Sequence, residues 1–207
     1  TKVFKFCYDV YGSSLYDEEM LHYLIYLYRN EEDDEMIVYI LPLIEQIALH
    51  EEEAIHLLID NVVDEKMCRI LSTNITELQK TQNVIGSFLS TICCCEYDLN
   101  GKEEFLVLLI NLIKNTANDI PQLTLENLTT ALNNLSCCYS NWAEILISEG
   151  FEDVAWSLLK ENRNFTYPLL DTIKIFLQYN PDKVTIRKDV IYKFLGVDGS
   201  SCDDKAN

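Results

Sequence analysis

A chain of 207 residues, 48% of them hydrophobic, carries enough apolar side chains for a substantial core, which excludes wholesale disorder. Six Gly and four Pro are too few for an all-β sandwich, which needs turn residues about every 8–12 positions. With 16 basic against 34 acidic residues the formal net charge is −18, so phosphate backbones and anionic lipid are repelled, and neither direct nucleic-acid nor membrane binding is expected.

Val3 to Tyr11 is a short apolar segment ending at Gly12, Ser13 and Ser14, expected to be the tail of a helix. The chain begins at Thr1 rather than Met, as expected of a piece of a longer protein. Asp17 is placed to cap a helix carrying the stripe Met20, Leu21, Leu24, Ile25, Leu27 and Tyr28. The acidic break Asn30 to Glu35 is expected to be a solvated loop and helix start. Met36 to Leu49 reads as an apolar helix bent at Pro42. Shorter helices are expected over Ala54–Val62 and from Val63 or Asp64 to Leu71, then a longer one over Thr76–Cys95. Asn100-Gly101 closes a loop before the amphipathic helix Lys102–Lys114. Pro121 falls in the first turn of a helix running to Cys138, and Gly150 stops the next helix, Asn141–Ser148. Phe151–Lys160 follows, then a turn at Asn162–Asn164 and a helix from Pro168 to Gln178. Asn180-Pro181-Asp182 is a loop before the final helix, Lys183–Leu195, and residues 196–207 are a polar, frayed tail. The helical domain is therefore expected over residues 1–195.

Eight Cys, five of them in the runs Cys93–Cys95 and Cys137–Cys138, form no ready disulfide framework, because adjacent helical residues point in different directions. They read as core thiols in a reducing compartment, cytosol or nucleus. His22, His50 and His56 match no zinc-site spacing, and no phosphate loop, nucleophile elbow or H-E-x-x-H is present, so no cofactor, metal or catalytic activity is expected. Trp142 and Trp156 read as core, as do Tyr23, Tyr26, Tyr28 and Tyr39, for which an aromatic interaction surface is the alternative.

Apolar residues near the ends of the long helices, Ile47, Ile92, Leu135 and Leu177, recur at intervals of 45, 43 and 42 residues. That falls within the roughly 40–47 residues of helical-repeat units. The interval from Ile92 to Gly101 leaves hardly room for a short helix, so one unit is degenerate. The stretch Thr129 to Leu159 carries Leu132, Asn134, Leu135, Gly150, Leu158 and Leu159 in a pattern that resembles an armadillo repeat. The resemblance implies an all-α, right-handed α-solenoid of about four armadillo-like repeats, the first and last incomplete.

In peptide-binding members of that family, an Asn near the end of each long helix holds an extended peptide's backbone, and a Trp one turn earlier packs on its side chains. Here Asn134 occupies the Asn position and Thr130 the Trp position. The other aligned pairs are Gln46 with Pro42, Thr91 with Ser87, and Phe176 with Thr172. The Asn–Trp ladder of import adaptors is absent. The resemblance and the charge together lead to an expected role as a non-catalytic interaction scaffold or adaptor, docking a Lys/Arg-rich protein segment. The residues expected to contribute are Asn134, Gln46, Thr130 and Thr91 on the long helices. The acidic breaks add Glu31, Glu32, Asp33, Asp34, Glu51 and Glu52. The alternative is a self-assembly module of a larger protein, a homo-oligomer pairing through the ends of the repeat array.

Overall fold

The computed structural model describes residues 18–48, 52–93, 101–116, 119–138, 140–160, 166–179, 182 and 184–195. Among them the chain is all-helical, without strands: α1 (Glu18–Asn30), α2 (Ile37–Ala48), α3 (Glu52–Asn61), α4 (Glu65–Leu71), α5 (Gln79–Ile92) and α6 (Glu103–Thr116) lead to α7 (Gln122–Cys138), α8 (Ser140–Ser148), α9 (Phe151–Lys160), α10 (Thr166–Tyr179) and α11 (Lys188–Leu195). No helix among the described residues is long and apolar enough to cross a membrane. The chain divides into two compact units, Thr1–Leu135 and Ser136–Asn207.

In the first unit each helix buries one stripe. Leu21, Leu24, Ile25 and Tyr28 of α1 are spaced i, i+3, i+4 and i+7 and are all buried. The helix packs on α2 and α3. Ile37, Ile40, Leu41 and Ile44 of α2 are buried, and the helix continues through Pro42, whose missing N–H leaves the Val38 carbonyl without its i+4 donor. α2 also packs on α5, and α4 on α5 and α6. The expected single helix over Thr76–Cys95 begins instead as a 3-10 turn, Thr76–Leu78, with α5 starting at Gln79 and Cys93 already in a turn. Gln82 is buried there, and its Nε2 donates to the carbonyls of Ile70 (2.9 Å) and Thr73 (2.8 Å), satisfying acceptors at the end of α4.

Four hydrogen bonds of the first unit, two between long helices and two involving loops, span similar sequence separations. The Thr91 hydroxyl donates to Glu45 Oε1 across α5 and α2 (2.6 Å), and the Thr124 hydroxyl to Asn83 Oδ1 across α7 and α5 (2.8 Å). The Thr81 hydroxyl reaches the Asp34 carbonyl (3.3 Å), and Asn74 Nδ2 the Asp119 carboxylate (3.4 Å). The partners in these four pairs lie 46, 41, 47 and 45 residues apart. Gly86 of α5 lies against α7 so closely that a Cβ would sit 3.2 Å from both Cα and Cγ2 of Thr124.

In the second unit, α8 packs on α9 and α10, and α9 on α10 and α11. Trp142 of α8 and Trp156 of α9 are buried, as their helical positions predict. Gly150 adopts φ +72° between α8 and α9, a left-handed conformation that glycine reaches without a Cβ penalty. Replacing it with Ala is expected to lower stability by about 1 kcal/mol, read as a shift of the denaturant midpoint at constant slope.

α11 starts at Lys188, not at Lys183 as the sequence predicts. Val184 is buried, and the Thr185 N–H donates to Glu152 Oε1 (2.7 Å), a carboxylate that also accepts from Trp156 Nε1 (3.3 Å). That side-chain acceptor on α9 keeps Thr185 out of a helix, and the β-branched run Val184-Thr185-Ile186 favours the extended alternative. α10 begins at Thr166, two residues before Pro168, where it was expected to start. The predicted helix tail at Val3–Tyr11, the Asp17 cap, the turn at Asn162–Asn164 and the tail at residues 196–207 lie outside the described residues.

Candidate partner-binding surfaces

The four long-helix residues separate into two kinds. Thr91 and Thr130 are half-buried with their hydroxyls engaged, Thr91 by Glu45 and Thr130 by the Glu126 carbonyl one turn back (2.8 Å). Gln46 on α2 and Asn134 on α7 are half-buried and make no side-chain hydrogen bond among the described residues. They therefore keep amide donor and acceptor groups for a ligand, which the two threonines do not.

The acidic break between α1 and α2 is tied to α4. Asp34, with its side chain 17% exposed, accepts both Arg69 guanidinium nitrogens, at 2.8 and 3.0 Å. Lys66 Nζ donates to the carbonyls of Tyr28 (2.8 Å) and Glu31. Within the loop, the Glu31 carboxylate accepts from the Asp33 N–H (3.0 Å) and the Asp33 carboxylate from the Glu35 N–H (2.9 Å). Two cations of α4 thus tie down an acidic break that is otherwise exposed at Glu32, Asp33 and Glu35, as the sequence predicts. Asp34 is committed to Arg69, and Glu32 and Asp33 are the exposed carboxylates of the four. Glu51 and the side chain of Glu52 lie outside the described residues.

Behind this loop sits a network that sequence reading does not find. The Tyr28 hydroxyl donates to Asp64 Oδ1 (3.1 Å), and the same oxygen accepts the Met67 N–H (3.0 Å) as the N-cap of α4. Lys66 Nζ stands 5.0 Å from the centroid of the Tyr28 ring. Burial first, and then the negative charge of Asp64, push the Tyr28 phenol far above its ordinary value near 10. The folded protein keeps that proton where the unfolded chain releases it. Stability supplied by the neutral phenol is therefore fully present below about pH 10 and declines above it, by about 1.4 kcal/mol per pH unit. Urea midpoints measured between about pH 9 and 11 are expected to fall more steeply for the wild type than for Tyr28→Phe.

Aromatic exposure also departs from expectation. Tyr23 and Tyr26 are 59% and 61% exposed on α1, and Tyr39 is exposed on α2 near Lys80, whereas Tyr28 alone of the four is core. The apolar stripe of α1 has room for one tyrosine, and the other two fall on its solvent side.

A third surface runs between the α3–α4 pair and α6. Two clefts of about 520 and 720 Å3 share Val63 and Leu108. Ile59 and Phe105 continue the apolar floor of the first. In the second, Glu65, Cys68, Arg69 and Ser72 are spaced i, i+3, i+4 and i+7, so one face of α4 forms its wall. Lys102 is ion-paired with Asp60 across α3 and the start of α6. Burial, and then the Asp64 charge, raise the Cys68 thiol, so it is a poor nucleophile near neutral pH. Among the described residues no group of three or more His, Cys, Asp or Glu is arranged to hold a metal ion. No family model, curated protein or solved structure matches the chain.

Proposed function

We propose that the chain is a non-catalytic protein–protein interaction scaffold built from armadillo-like helical repeats, which docks a Lys/Arg-bearing segment of a partner. The observation that carries this reading is the pair of hydrogen bonds, Thr91 to Glu45 and Thr124 to Asn83, that join α5 to α2 and α7 to α5 at separations of 46 and 41 residues, about one repeat length. Packing of successive long helices at the sequence period supports a repeat array. The −18 charge gives such an array a basic partner and a long-range attraction to it. Gln46 and Asn134, each with an unengaged amide, are the residues to contact a peptide backbone. A thiol outside any disulfide, such as half-buried Cys68, suits a reducing compartment, cytosol or nucleus.

The test is fluorescence anisotropy with a labelled, extended Lys/Arg-rich peptide against an acidic peptide of equal length. The basic peptide is expected to bind at low ionic strength and to weaken several-fold between about 0.05 and 0.3 M salt. Gln46→Ala with Asn134→Ala is expected to weaken it further at fixed salt. Absence of binding at low salt, or binding indifferent to salt, overturns the electrostatic scaffold.

A second reading, self-assembly, draws on Tyr23 and Tyr26, exposed together at i, i+3 spacing on α1. Sedimentation equilibrium would show a mass rising with concentration and abolished by Tyr23→Ser with Tyr26→Ser; a strict monomer rules it out.

A further inference from the structure

In the first unit the starts of α2, α5 and α7 lie side by side. Lys80, in the first turn of α5, places its Nζ 5.7 Å from the centroid of the Tyr39 ring in the first turn of α2. The Thr81 hydroxyl reaches the carbonyl of Asp34, just before α2. Asn74, before α5, donates to Asp119, before α7, and Thr124 in the first turn of α7 donates to Asn83 of α5. Along this edge stand Met36 (40% exposed), Tyr39 (47%), Ile75 (47%) and Leu123 (52%). They are four of the seven large apolar or aromatic side chains exposed among the described residues. Single exposed apolar residues are ordinary on a protein surface, but a row across adjoining helix starts is a patch.

We infer that this edge docks an extended, basic segment of a partner protein, with an apolar residue at every third position and Lys or Arg between. Charge sets the sign of the partner. The exposed carboxylates of Asp33, Glu35, Glu77 and Asp119 stand at or just before the same helix starts, and none is ion-paired among the described residues. The helix starts add about half a positive charge each, which together with Lys80 does not balance these carboxylates. Spacing sets the conformation. Packed helices lie about 8–10 Å apart, and a polyproline II segment advances about 9 Å in each turn of three residues. One apolar residue per turn therefore meets one helix start after another. The row is also narrow, which suits single side chains of an extended chain better than the stripe, about 100° wide, that an amphipathic helix buries. Gln46 and Asn134 lie roughly 15 Å further along α2 and α7, so this edge is separate from the amides proposed above. It depends on the packing of the first unit and not on the repeat reading.

The probe is a labelled peptide of three Lys-Pro-Leu triplets, in which proline prevents a helix, titrated with the full chain by fluorescence anisotropy. One control keeps the composition but places the Leu residues together; a second is a helical Leu/Lys peptide of equal charge. The triplet peptide is expected to bind at least about fivefold tighter than the first control, and to weaken several-fold between about 0.05 and 0.3 M salt. Met36→Ser with Leu123→Ser is expected to weaken it by about fivefold or more, and Glu35→Lys with Glu77→Lys by a similar factor. All four side chains are exposed, and circular dichroism checks that each variant keeps its helix content. Ile75→Ser, expected to cost about threefold, serves if the Met36 and Leu123 pair unfolds. Gln46→Ala with Asn134→Ala should leave this peptide unaffected. Equal binding of the triplet peptide and its first control, or equal binding to wild type and the serine variants, overturns the edge site and leaves the long-helix amides standing. Tighter binding of the helical peptide overturns the extended occupant. A wild-type dimer in sedimentation equilibrium that Met36→Ser with Leu123→Ser converts to a monomer makes the occupant a second copy, and overturns it too.

Discussion

Replacing Asp64 with Ala is expected to lower the stability of the protein by about 3 kcal/mol, among the largest effects of any single polar substitution in the first unit. Two losses combine. The N-cap of α4 disappears, because Asp64 Oδ1 no longer accepts the Met67 N–H, at about 1 kcal/mol. The Tyr28 hydroxyl, on a residue with 0% exposure, is left without the acceptor that satisfies it, at about 1–3 kcal/mol. Asp64→Asn keeps an acceptor oxygen for both donors and is expected to lose about 1 kcal/mol or less. Tyr28→Phe alone should lose about 1 kcal/mol, and the double variant Tyr28→Phe with Asp64→Ala less than the two single losses together. Urea midpoints at constant slope measure all four proteins. An Asp64→Ala variant within about 0.5 kcal/mol of the wild type would mean that this oxygen does not join α1 to α4.

The network also fixes the acidic loop. Asp64 sets the start of α4, and α4 presents Lys66 and Arg69 to the loop carbonyls and to Asp34. A basic partner of the kind proposed above would therefore meet Glu32 and Asp33 on a loop already held in shape, rather than one it must order. The scarcity of cations makes this notable. With 16 basic residues in the whole chain, two are spent within four positions of each other on holding a run of five acids.

Period carries the legible part of this fold. The i, i+3, i+4, i+7 stripe of α1, the stop at Gly150 and the burial of Trp142 and Trp156 follow from spacing and residue type alone. What spacing does not carry is any bond formed across tens of residues. Arg69 reaches Asp34 from 35 positions away, so that one acid of the run looks solvated until its partner is placed. Glu152 holds Thr185 from 33 positions away, which is why the start of α11 is misplaced by a periodicity argument. Tyrosine is ambiguous for a different reason: its ring suits a core and its hydroxyl suits water, so type alone does not sort Tyr28 from Tyr23 and Tyr26. The engaged hydroxyl of Thr130 was readable, since a mid-helix threonine commonly bonds the carbonyl one turn back.

Gly86→Leu is expected to lower stability by about 2 kcal/mol, because α5 and α7 meet at that position with no space for a side chain. A Cβ alone would sit 3.2 Å from two atoms of Thr124 and 3.3 Å from Asn127 Cβ, and one of the Thr124 atoms is main chain that cannot rotate aside. Relieving a leucine there moves α7 away from α5 and stretches the bond from the Thr124 hydroxyl to Asn83. Gly86→Ala is expected to be nearly neutral, since about 1 kcal/mol of helix propensity offsets a push of a few tenths of an ångström. Adding Thr124→Ala to Gly86→Leu removes the Cγ2 contact and is expected to recover part of the loss, although Thr124→Ala on its own is destabilising through the bond to Asn83. That reversal of sign is what separates direct stacking of α5 on α7 from an arrangement in which they only lie near each other. Independent, additive losses would remove the contact between successive long helices, and with it the one-repeat spacing on which the scaffold reading depends.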